Sequence, residues 1–293
     1  MLRLPKRWLR RPEPSLRRRR AAYVLPTLFT AGNIFLGFLS IVKSLQGSLL
    51  ASGTLGPNPH LEMAAKAIGV AVVMDGLDGR IARLTHTVSE FGRELDSLAD
   101  VITFGIAPAI LAFVWGVQFA ATNAPIPPEH LTRAGYFVAF LYLLCGAVRL
   151  ARFNIQINPV PKNPGRPDRK YFVGLPIPGA AALVAAVVYA SDATPLDHWL
   201  WAVAWMLLLG LLSFLMVSTW RYRSFKEFAL LRPRSPLSVV FCGSLIYLLW
   251  YYSQPVLLGM AGAYVGSGLV VRIGGALRRW FRPTETGAEA QGG

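Results

Sequence analysis

Apolar residues run through this chain in long, nearly charge-free stretches, separated by short breaks of Gly, Pro and charged residues. Crossing a bilayer takes roughly 17 to 25 mainly apolar helical residues. Stretches of that kind fall at about residues 25–45, 61–83, 95–117 and 134–153, and again at about 173–190, 198–219, 237–253 and 255–272. The last two are short and are divided by Gln254-Pro255, a helix breaker. The pattern predicts an all-α polytopic transmembrane bundle of eight spans, the final pair forming a hairpin.

Composition agrees. Of 293 residues, 54% are hydrophobic and 15% charged, and the mean hydropathy is +0.43. Soluble domains carry about 25% charged residues, so a cytosolic globule and a disordered chain are both excluded. The net charge of +15 would point to nucleic acid in a soluble protein. In a membrane protein it reflects Lys and Arg retained in cytoplasmic loops, and no nucleic-acid partner is expected. Under the eight-span pattern, 27 of the 30 basic residues fall on one side, leaving Lys43, Lys66 and Arg133 on the other. Both termini are therefore expected in the cytoplasm, with the chain in a bacterial inner membrane among its lipids. The Arg-rich start, including Arg17 to Arg20, precedes an apolar stretch too long for a signal peptide, which reads as a retained first span. Cys145 and Cys242 lie in apolar stretches without metal-ligand spacing, so they indicate neither a disulfide framework nor a zinc site.

Acidic residues are scarce, yet Asp75 and Asp78 end the second span and Asp96 and Asp100 begin the third. Spacings of i, i+3 and i, i+4 put each pair on one helix face, and a short connection makes the two helices antiparallel neighbours whose faces can oppose. An ionised Asp at mid-membrane costs about 2.5 to 3.5 kcal/mol on insertion scales, so four together call for the interface and for counter-charge. Hard divalent cations, magnesium or manganese, fit such oxygen ligands, and two ions could share the four carboxylates. Gly76, Gly79 and Gly92 clear side chains nearby and permit close approach of a ligand. Arg83 stands at the rim as a bidentate phosphate donor. The plainer alternative is that boundary carboxylates snorkel into headgroups or pair with Arg80, Arg83 and Arg93. The parts together describe a pocket for a metal-bound pyrophosphate.

The 26-residue run Asp75-x2-Asp78-Gly79-x2-Ala82-Arg83-x8-Gly92-x3-Asp96-x3-Asp100 resembles the signature of the CDP-alcohol phosphotransferases, integral membrane enzymes that move a phosphatidyl or related group from a CDP-linked donor to an alcohol. The resemblance implies a core of six transmembrane helices, two metals held by Asp75, Asp78, Asp96 and Asp100, and Asp100 as general base. It also implies that Gly79, Arg83 and Ser89 contact the donor's cytidine diphosphate. Where the family often has Pro-Asn-x-x-Thr before its first span, this chain has Pro26-Thr27-Leu28-Phe29-Thr30, leaving Thr27 and Thr30 as donor-binding candidates. The flanks, among them Ala31 to Phe35, Ser97 to Ala109, Cys145 to Asn154 and Phe172 to Pro178, are most similar to the membrane-embedded bacterial branch that uses CDP-diacylglycerol and L-serine. Such an acceptor needs a partner for its carboxylate, and Arg149 or Arg152 is the expected one, with Asn154 as a further donor.

The implied organisation is a basic cytoplasmic segment at 1–24, the transferase core at 25–220, a loop and hairpin at 221–272 and a basic, then disordered tail at 273–293. A homodimer is allowed for. Glycerol 3-phosphate or inositol remains open as the acceptor, and an ion-coupled transporter is the rival from another class, since intramembrane acids mark ion pathways. Against transport, the acids gather at one membrane face and no matched broken helices divide the chain.

Overall fold

The computed structural model describes residues 16–50, 56–85, 90–120, 127–157, 171–218, 221–223 and 236–280. Ser89, His86, the basic loop from Lys162 to Lys170 and the tail after Pro283 lie outside the described residues. The chain forms α1 (Leu16–Leu50), α2 (Pro59–Thr85), α3 (Glu90–Gln118), α4 (Pro128–Ile157), α5 (Ile177–Ala190), α6 (Trp199–Val217), α7 (Pro236–Tyr251) and α8 (Ser253–Trp280). Two short strands depart from the all-α expectation. β1 (Tyr171–Val173) precedes α5, β2 (Arg221–Arg223) follows α6, and they pair antiparallel. Gly174, at φ +82°, turns the chain out of β1, and a Cβ there would come within 2.6 Å of the Met216 carbonyl, so both the backbone angle and the close approach require glycine.

Four helical stretches are long and apolar enough to cross a membrane, Thr27–Leu49, Glu90–Gln118, Pro128–Ile155 and Trp199–Val217. Large apolar side chains on outward faces, such as Phe38, Phe137 and Leu207, are exposed, as lipid-facing residues of a membrane protein must be. The expected division at Gln254-Pro255 is corrected. The helices part at Tyr252, and Pro255 sits in the first turn of α8, where its missing N–H costs nothing.

Helix α1 packs along α2, α2 along α5, α4 along α6 and α5 along α8. On α1 the inward stripe is small and polar: Thr30, Asn33, Gly37, Ser40, Ser44 and Gly47 are all buried. Small residues let helices approach closely in a membrane. At Gly37 a Cβ would come within 2.8 Å of the Thr103 backbone, and the Thr103 hydroxyl donates to the Asn33 carbonyl at 3.0 Å. Asn58 caps α2 by accepting from the His60 and Leu61 amides through Oδ1, while its Nδ2 donates to the Gly47 carbonyl. Asn at the cap and Pro59 next to it are the residues such a helix start favours.

Helix α3 is α-helical to Asp100, π-helical over Val101–Ile106, α-helical again over Ala107–Phe113 and π-helical over Val114–Gln118. Pro108 has no N–H to offer the carbonyl four residues back, that of Phe104. The fully buried Tyr142 of α4 supplies a donor instead, its hydroxyl reaching that carbonyl at 3.2 Å. Near the second π segment the Trp205 indole N–H donates to the Ala112 carbonyl at 3.0 Å. Gly116 leaves room for that ring, since a Cβ there would overlap it.

Candidate active site

Helix α2 buries Leu61, Ala64, Ile68 and Ala71 on one stripe, and Asp75 continues it one turn later. Because the stripe packs inward, the chain must direct Asp75 at its neighbours instead of at lipid. Asp96 and Asp100 begin α3, the antiparallel neighbour. One carboxylate oxygen from each of Asp75, Asp96 and Asp100 falls within 4.8 Å of the other two, and all three residues are half-buried. Asp78 lies one turn beyond Asp75 in α2, and Gly79 and Arg83 follow in the same helix; their side chains are outside those described.

Three hard oxygen donors converging from two helices fit a divalent cation. Such an ion takes carboxylate oxygens at about 2.0 to 2.6 Å, a spread that the observed separation meets after small side-chain movements. Two salt bridges among the described residues are Lys66 with Glu62 and Arg133 with Glu129. Both join basic residues of the sparse side to acids one turn away.

The remaining expected site residues separate in space. Thr30 is buried and Thr27 half-buried on α1. Gly92 is half-buried in the first turn of α3. Gly76 lies on the outward stripe of α2 with Val73, Leu77 and Arg80, all exposed, and a Cβ there would meet nothing within 4 Å. It is turned about 100° from Asp75, so it does not line the carboxylate face. Arg149 and Arg152 also part: Arg152 is exposed, whereas Arg149 is half-buried. Its Nε is buried with no hydrogen-bond partner, and its guanidinium lies 5.8 Å from the Phe153 ring centroid. Asn154 donates to the Ser97 hydroxyl at 2.8 Å, bracing the end of α4 against the turn that carries Asp96.

Two features escaped the sequence reading. The π-helical turn directly after Asp100 was signalled by Gly105 and Pro108, and such turns recur at functional sites. Tyr264 of α8 is the other. It lies against α5, where a Cβ on Gly179 would come within 2.7 Å of its ring, and no local pattern marks it.

Comparison with known proteins gives the class, a phosphatidyltransferase. Residues 23–212 match the family model for CDP-alcohol phosphatidyltransferase, and the chain belongs to that family. It is 39% identical to a CDP-diacylglycerol–serine O-phosphatidyltransferase of Helicobacter pylori over 209 residues, 70% of this chain and 74% of that one. It is 31% identical to the Bacillus subtilis protein of the same name, over 70% of this chain and 93% of that one. An archaetidylserine synthase of Methanothermobacter thermautotrophicus is 37% identical over 55% of this chain and 56% of its own.

Proposed function

We propose that this protein transfers the phosphatidyl group of CDP-diacylglycerol to the hydroxyl of L-serine, making phosphatidylserine and releasing CMP. The observation that carries the reading is the convergence of Asp75, Asp96 and Asp100 in a chain whose relatives are serine phosphatidyltransferases. The similar proteins differ in the lipid their names imply but share serine, which favours it over glycerol 3-phosphate or inositol as the acceptor.

In this reading the serine hydroxyl attacks the phosphorus that carries the diacylglycerol. Its proton passes to a carboxylate oxygen of Asp100, the new P–O bond forms, and the bond to the CMP phosphate breaks. A serine hydroxyl is a poor nucleophile at neutral pH, so a base within hydrogen-bond reach is required. Asp75, Asp78 and Asp96, with Asp100 shared, would hold two divalent ions, magnesium or manganese, which supply Lewis-acid neutralisation of the diphosphate. Gly79, Arg83 and Ser89, with Thr27 and Thr30, are proposed to receive the cytidine diphosphate. Arg149, more than the exposed Arg152, suits the serine carboxylate, because its buried Nε–H has no hydrogen-bond partner and gains most from an anion. Asn154 serves by holding the α3 turn in place.

The site is assembled within one chain, from α2, α3 and α4. We place both termini and this site on the cytoplasmic side of a bacterial inner membrane, with residues 25–220 as the transferase core. Helices α5 and α7, of 14 and 16 residues, are about 21 and 24 Å long at 1.5 Å per residue. Each completes one of eight spans only with its flanking turns. The test is purified protein with CDP-diacylglycerol and L-serine, glycerol 3-phosphate or inositol in turn. CMP release with serine far above the others supports the reading, and release with glycerol 3-phosphate but not serine overturns it.

A further inference from the structure

Asn33 lies on the inward face of α1, fully buried, and its packing fixes its level in the bundle. Its backbone carbonyl accepts from the Thr103 hydroxyl at 3.0 Å, and Thr103 stands three residues after Asp100, less than one turn of α3. On the other flank a Cβ at Gly32 would come within 3.0 Å of the Met74 side chain, and Met74 directly precedes Asp75 in α2. Asn33 is therefore wedged where α1 meets both helices of the carboxylate cluster, at the level of Asp75 and Asp100.

Both polar atoms of its side chain, Nδ2 and Oδ1, are buried without a hydrogen-bond partner. Other polar side chains of the bundle are satisfied locally. The Ser97, Ser213 and Ser218 hydroxyls each donate to a carbonyl three or four residues back, as helical serines commonly do, and the Asn58 and Asn154 amides donate to protein groups. Asparagine is a poor helix former and a buried amide left unpaired costs free energy as well, so its place beside the carboxylates calls for a ligand that offers both a donor and an acceptor. Phosphate oxygens accept only, and a water on a metal ion can only donate. An α-amino acid offers both, an ammonium for Oδ1 and a carboxylate for Nδ2. In serine each of these groups is three bonds from the hydroxyl oxygen, so a hydroxyl delivered to Asp100 brings them to this level of the bundle. A charged ammonium taken out of water also needs an acceptor there, and Arg149, which has donors alone, cannot supply one.

We propose that Asn33 is a specificity-determining residue for the acceptor: its Oδ1 accepts from the ammonium of the incoming serine, and its Nδ2 donates to the carboxylate that Arg149 also meets. The inference rests on the serine reading above and deepens it.

The test uses the full chain, reconstituted in vesicles with CDP-diacylglycerol, varying each substrate in turn. A second acceptor, 3-hydroxypropanoate, keeps the hydroxyl and carboxylate but lacks the ammonium. Asn33→Ala should raise the serine KM roughly tenfold or more, the loss expected for hydrogen bonds to charged groups. The CDP-diacylglycerol KM should stay within about twofold, the signature of lost binding confined to one substrate. The preference for serine over 3-hydroxypropanoate should shrink by roughly fivefold or more, since the group that recognises the ammonium is gone. Asn33→Leu, closer in volume to the native side chain, should give the same shifts. Ser44→Ala, which removes another buried group without a partner from the same face of α1, should change none of these constants. Manganese binding should be unchanged in all three variants. An unchanged serine KM in both Asn33 variants, equal rises for both substrates, or weakened manganese binding would overturn the proposal. So would a rise confined to CDP-diacylglycerol, which would put the donor's cytosine at Asn33 instead. Failure of the unaltered protein to use serine would overturn the serine reading itself and this proposal with it.

Discussion

Replacing Tyr142 with Phe removes one oxygen from the centre of the bundle and tests why α3 holds its shape after Asp100. The hydroxyl is fully buried and donates to the Phe104 carbonyl, to which Pro108 can give no N–H. In water-soluble proteins a buried group stripped of its partner costs about 1 to 3 kcal/mol. Within membrane bundles, interhelical hydrogen bonds average about 0.6 kcal/mol and reach about 1.7. Because the carbonyl has lost its usual helical donor, the upper part of the membrane range applies, and a loss of about 1 to 1.5 kcal/mol is expected. Unfolding in mixed micelles by graded denaturing detergent measures it, with Tyr136→Phe as the control, since Tyr136 is exposed on the same helix. Pro108→Ala restores a backbone donor, so Tyr142→Phe should cost less in that background, by about 0.5 kcal/mol or more, a coupling that a double-mutant cycle isolates. A stability equal to that of the unaltered protein, or identical costs in both backgrounds, would refute the reasoning.

Other outcomes follow from the same geometry. Asp75→Asn and Asp96→Asn should each lower transfer by roughly two orders of magnitude or more and weaken manganese binding followed by electron paramagnetic resonance, since each removes an anionic ligand; undiminished binding in both would contradict the metal assignment. Gly37→Ala, whose new methyl meets the Thr103 backbone, should destabilise by about 1 to 3 kcal/mol, whereas Gly76→Ala, facing open space, should leave stability unchanged or slightly raised in the same detergent titration. A cysteine at position 86 should resist impermeant maleimide added outside intact cells, and ready labelling there would reverse the topology.

What could be read along the chain was whatever a single helix determines by itself. The apolar runs marked where helices lie, and the three- and four-residue spacings of the aspartates put each pair on a common face, needing only one short connection to bring the pairs together. Contacts between distant elements were not legible in this way. Arg149 and Arg152 share a helix face only to within about 60°, and it is the packing around α4 that leaves Arg149 half-buried and Arg152 exposed. Gly76 departs from expectation for a related reason, since closeness in sequence to Asp75 says nothing of facing the same way. The break at Tyr252 instead of Gln254-Pro255 shows the position dependence of proline, which interrupts a helix interior and suits a first turn. The β1–β2 ladder joins segments about fifty residues apart, and three-residue strands carry too little alternation to be seen.

Transfer of phosphatidyl to serine at the Asp75, Asp96 and Asp100 cluster is proposed to depend on divalent ions. Its most direct measurement is the stoichiometry of the products formed by the purified protein from CDP-diacylglycerol and isotopically labelled serine. One labelled lipid is expected for each CMP released, none after chelation, with recovery on return of magnesium or manganese. CMP release without label in lipid, or labelled lipid formed at full rate under chelation, would contradict it.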